Sequence, residues 1–175
     1  MNRVIFDINS QIGYMSEKNN ILETLQFIII GAIEEQIPVI GTVLVDDYIM
    51  HPKYKETLCA NDTNIYFVPN LGHGIDMELA NNVEQIYFET RMDIYEQRDN
   101  INTYIRTNNI DTITIIGGDA EDSLLDIISF MTNMQYNVEL VYDGIAIDIT
   151  NMSNIDGVNI ITAQELINNL GIHNG

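Results

Sequence analysis

A few side chains in this sequence stand where chemistry is possible. Asp7 lies near the end of the apolar run Val4-Ile-Phe-Asp-Ile8, and Ser123 follows shortly after the Gly117-Gly118 break. Cys59, in Thr57-Leu-Cys-Ala-Asn61, is the only cysteine. A carboxylate at a strand end can move a proton, or it can cap loop amides. A serine attacks a carbonyl only if a base takes its proton, and no histidine lies near Ser123 in sequence. Without a base, its hydroxyl serves the unpaired N–H groups of a helix start. Cys59 precedes no glycine-rich strand-to-helix turn and reads as a structural thiol. Metal sites need several convergent donors. The stretch Val45-Asp-Asp-Tyr-Ile-Met-His-Pro52 offers Asp46 and His51, which suits a solvated loop better than a metal site. His73, in Leu71-Gly-His-Gly74, and His173, in the tail, stand alone. Gly117-Gly118 lacks the lysine and third glycine of a phosphate loop. The residues therefore predict no metal and no cofactor.

These side chains must be placed by alternating strands and helices. Val4–Ile8 is a short apolar run, as expected of a buried parallel strand. Asn19 and Asn20 are placed to cap a helix from about Ile21 to Gln36, with Ile21, Leu22, Leu25, Ile28, Ile29, Ala32 and Ile33 on one face. Pro38 ends that region and opens a strand from Val39 to Val45. Residues 46–63 read as a loop, Ile65–Val68 as a short strand and Ile86–Phe88 as a core strand. Helices are expected at Ile101–Asn108, Glu121–Met134 and Ala163–Leu170. Thr112–Ile116, the most β-rich run, is a strand, as are Val138–Tyr142 and Val158–Ile161. This alternation predicts an α/β fold in three layers, a central, mainly parallel sheet flanked by helices on both faces. No repeat or linker interrupts it, so residues 1–175 read as a single domain.

Composition narrows the function. Apolar residues make up 46% of the chain, which suits a packed core. The net charge is −19, with seven Lys and Arg in all, so nucleic acid would be repelled. The acids are scattered, which favours a self-repelling soluble surface over a decoy for a basic partner. No apolar run is long enough to cross a bilayer. Met1-Asn2-Arg3 leads straight into the first strand and does not read as a signal peptide. One cysteine allows no intrachain disulfide, and a reducing cytoplasm is the simplest compartment.

The order and endings of these elements resemble the isochorismatase-like (cysteine hydrolase) superfamily. The segments that carry the likeness are Val4-Ile-Phe-Asp-Ile-Asn-Ser-Gln11, Asn109-Ile-Asp-Thr-Ile-Thr-Ile-Ile-Gly-Gly-Asp-Ala-Glu-Asp-Ser123, Tyr136-Asn-Val-Glu-Leu-Val-Tyr-Asp143 and Val158-Asn-Ile-Ile-Thr-Ala-Gln-Glu-Leu166. The resemblance implies a catalytic set of Asp, Lys and Cys, in which the Asp accepts a proton, the Lys steadies charge and the Cys attacks. Asp7 matches the Asp. Glu89, at the end of Gln85-Ile-Tyr-Phe-Glu89, stands at the Lys, and Ser123 stands at the Cys. Two carboxylates at one site would share a proton or hold a cation. Arg91 would supply the missing charge if the register slips. The superfamily's Asp-x-His-x-x-x-His metal pattern is also broken, with Tyr48 and Pro52 at the histidine positions.

The departures imply a non-catalytic relative that binds a small molecule or a protein. The alternative is a hydrolase of altered chemistry, using Asp7 with or without Ser123. A third reading is an acidic protein that covers a basic surface. A homo-oligomer is expected. The short segment from Gly144 to Gly157 removes material that builds subunit contacts in relatives, so their arrangement does not carry over.

Overall fold

A computed structural model describes residues 2–8, 19–44, 85–90, 94–117, 121–145 and 155–171. The expected strand at Ile65–Val68, and Asp46, Tyr48, His51, Cys59, His73, Arg91 and His173, lie outside the described residues.

In chain order the elements are β1 (Arg3–Ile8), α1 (Asn19–Glu34), β2 (Val39–Leu44), β3 (Gln85–Thr90), a 3-10 turn (Ile94–Gln97), α2 (Arg98–Thr107), β4 (Thr112–Gly117), α3 (Glu121–Asn133), β5 (Asn137–Ile145), β6 (Val158–Ile161) and α4 (Ala163–Leu170). The strands form one six-stranded sheet in the order β3-β2-β1-β4-β5-β6. Every pairing between them is parallel. The chain first builds outward from β1 through β2 to β3. It then returns to the other side of β1 for β4, β5 and β6. The order therefore reverses between β1 and β4.

Strand alternation sorts side chains onto the two faces of the sheet. Val4, Phe6 and Ile8 of β1 join Ile113, Ile115, Val138 and Leu140 beneath α2 and α3, which contribute Ile101, Ile105, Leu124, Ile127, Ile128 and Met131. On the opposite face, Ile5, Val39, Ile116 and Val141 pack against Ile21, Leu25, Ile28, Ile29, Ala32 and Ile33 of α1 and Leu166 of α4. Central strands are thus largely apolar on both sides, as a sheet covered by two helical layers requires. Emptying one such position, for example Leu25→Ala, should cost about 2–5 kcal/mol.

α1, α2 and α3 end in one device. Gln36, Asn109 and Gln135 take left-handed backbone at φ 57°, 52° and 64°. In each case the next residue's N–H reaches back five residues, from Ile37 to Ala32, Ile110 to Ile105 and Tyr136 to Met131. These are Schellman closures, and each places an apolar residue just beyond the turn. The closure redirects the chain at once into β2, β4 or β5, so helix ends and strand starts are fixed together.

Candidate functional site

In an open parallel sheet, loops diverge where the strand order reverses, and ligands bind outside the carboxyl ends of the strands at that point. Here the reversal falls between β1 and β4. Asp7 sits on β1 at this place, fully buried at 0% exposure. In register it stands beside Ile116 of β4 and Gly41 of β2.

The next pair along is Ile8 with Gly117. Gly117 has φ +141°, and a Cβ added there would come 2.3 Å from the Ile8 carbonyl oxygen. Only glycine lets β4 close on β1 so tightly. Just beyond, Ile8, Ile116, Gly117, Leu124 and Ile145 line a small apolar crevice. Leu124 comes from α3, which starts at Glu121, so α3 begins beside the ends of β1 and β4. Ser123 belongs to this first turn of α3, adjacent to Leu124. The fold thus brings the backbone positions of Asp7 and Ser123 to the same end of neighbouring elements.

Glu89 is placed differently. β2 lies between β3 and β1. Gly41, level with Asp7, pairs with Tyr87, and Glu89 pairs with Val43, two residues further on. At about 4.8 Å between strands and 3.3 Å per residue, the Asp7 and Glu89 backbones stand roughly 11–12 Å apart. β3 reads Gln-Ile-Tyr-Phe-Glu-Thr and contains no lysine.

Asp143 has a settled local role. Its Oδ1 accepts the N–H of Ala163 at 2.8 Å, the first residue of α4. Thr162 and Glu165 complete a capping box on the same helix end. This carboxylate therefore anchors α4 to β5, and β5 continues past it to pair Ile145 with Gly117. The apolar wall formed by Leu124 and Ile145 was not legible from residue types alone. Its signal, Ile145 following Gly144, reads in the sequence as the start of a loop.

At the amino end of the same strands lies a charged network. Arg3 of β1 donates through Nη1 to Thr114 Oγ1 at 2.7 Å and to Glu139 Oε2, and through Nη2 to Glu139 Oε1 at 3.3 Å. The Thr114 hydroxyl also donates to Glu139 at 2.9 Å. The Arg3 and Glu139 side chains are 8% and 13% exposed. Nearby, the Asp111 carboxyl is held below its usual 3.8 by the Thr112 hydroxyl and then by the Asn2 N–H. Among the described residues no cluster of His, Cys, Asp and Glu could hold a metal. No described helix is long and apolar enough to cross a membrane.

No family model matches this chain, and no curated protein matches it by sequence. Solved structures do match its architecture. A cysteine hydrolase from Pseudomonas syringae pv. phaseolicola is similar at TM-score 0.63 and 14% identity, over 97% of this chain and 92% of its own. N-carbamoylsarcosine amidase from Thermoplasma acidophilum gives 0.64 and 15%, over 93% and 97%. Nicotinamidase PncA from Bacillus subtilis gives 0.64 and 17%, over 91% and 99%. Identities this low speak for the fold, and the coverage shows that the likeness runs through the whole chain. The chain thus shares the fold of these hydrolases, at 14%, 15% and 17% identity to them.

Proposed function

We propose that this protein is a divergent isochorismatase-like chain that has lost the fold's thiol chemistry and uses the site between β1 and β4 to bind a small molecule or a protein. The observation that supports this reading is the connection from β4 into α3. From Gly117 to Ser123 it reads Gly-Gly-Asp-Ala-Glu-Asp-Ser, and the single cysteine, Cys59, precedes β3. No small shift of alignment puts a thiol there. A thiolate also needs a positive neighbour to form near neutral pH, and β3 carries Glu89 where the resemblance implies Lys.

The test restores both groups. In Glu89→Lys with Ser123→Cys, alkylation by iodoacetamide should show a new thiol that reacts faster, and at lower pH, than Cys59 alone. Wild-type protein that hydrolyses a carboxamide, with the rate lost in Ser123→Ala, would overturn the proposal.

A second reading retains catalysis. It is favoured by the complete burial of Asp7 on a central strand, the setting in which a carboxylic acid can donate a proton to the terminal carbon of a vinyl ether, leaving an oxocarbenium ion for water to attack. Ser123 would assist or be idle. Vinyl-ether cleavage that persists unchanged in Asp7→Asn would dismiss this reading. Under either reading we expect the chain to associate with copies of itself in the cytoplasm, and sedimentation at several concentrations tests the association.

A further inference from the structure

We draw no further inference here: the strongest candidate, the open polar groove at the amino ends of β4, β5 and β6 lined by Thr112, Asn137, Glu139, Gly157 and Asn159, carries nothing, because its carboxylate is already engaged by Arg3 and Thr114 and nothing in the structure shows what would fill it.

Discussion

The two ends of β1, β4 and β5 have been put to different uses. At the amino end, Arg3, Thr114 and Glu139 form a network spanning three strands, nearly closed to water. At the carboxyl end stand a buried Asp7, a glycine pressed against Ile8 and an apolar crevice. The first end meets a buried charge with an opposite charge and hydrogen bonds, the condition under which a protein interior tolerates ions. At the second end, the β3 strand and the β4–α3 connection bring carboxylates and hydroxyls but no lysine and no thiol. An ion pair thus braces one end of the sheet, while the other end holds a buried carboxylate and a close strand contact. Substitutions at the two ends should separate accordingly.

The largest effect is expected from Arg3→Met. It leaves the Glu139 carboxylate without its ion partner in a nearly closed site and should cost about 3–5 kcal/mol in urea unfolding. Adding Glu139→Leu should recover much of that loss, since removing both charges abolishes the desolvation penalty. A loss below 1 kcal/mol for Arg3→Met would mean that the network is solvated and that the contrast between the two ends is false.

Next is Gly117→Ala at the carboxyl end. Its Cβ would meet Ile8 backbone atoms at 2.3, 2.6 and 2.9 Å, at a φ of +141°. Backbone strain of this kind costs on the order of 1–3 kcal/mol, and parting the strands adds to it. The thermal midpoint should fall, and amide exchange should quicken in β1 and β4 before the rest of the sheet. Uniform exchange across the sheet would show that the close approach is not a local constraint.

Smaller changes sharpen the picture. Thr162→Ala removes the hydroxyl that accepts the Glu165 N–H at 3.0 Å and should cost about 1 kcal/mol. Asp143→Ala should cost a similar amount and weaken α4 docking, because Oδ1 accepts the Ala163 N–H. Gln135→Gly should stabilise by up to about 1 kcal/mol, since a side chain at φ 64° is strained and glycine is not. An unchanged midpoint in Gln135→Gly would show that its side chain compensates elsewhere.

The smallest effect concerns pH. The folded Asp111 carboxyl lies below its usual 3.8, so its contribution is fully present above that value and is lost as pH falls through the folded value. Asp111→Asn should lower stability slightly at neutral pH and converge with wild type as pH falls below about 3.8, flattening the acid limb. An acid limb identical to wild type would remove Asp111 from the account.

Much of the fold was legible because strong local signals agree with the global arrangement. β6 and α4 were expected at Val158–Ile161 and Ala163–Leu170, and they occupy those spans. The capping box of Thr162 and Glu165 and the Gly171 turn at φ 79° mark the ends of α4. α2 starts at Arg98, before the expected Ile101, since its first turn is exposed and carries no apolar repeat. β5 runs to Ile145, beyond the expected Tyr142, because its last residues pair with Gly117 after β6 has ended.

The Arg3–Glu139 pair was not legible. It depends on β5 lying two strands from β1, and strand order is a tertiary fact that residue types do not encode. The same holds for the candidate site. The position of Asp7 followed from its strand, whereas the distance from Asp7 to Glu89 depends on β2 standing between them.

The measurement that bears most directly on the proposed loss of chemistry is turnover by wild-type protein at high concentration. Ammonia release from a panel of simple carboxamides and cleavage of a vinyl ether would be followed beside Asp7→Asn. The account predicts that wild type is no faster than Asp7→Asn on any of them. Turnover by wild type that Asp7→Asn removes would contradict it and show a working hydrolase without the thiol.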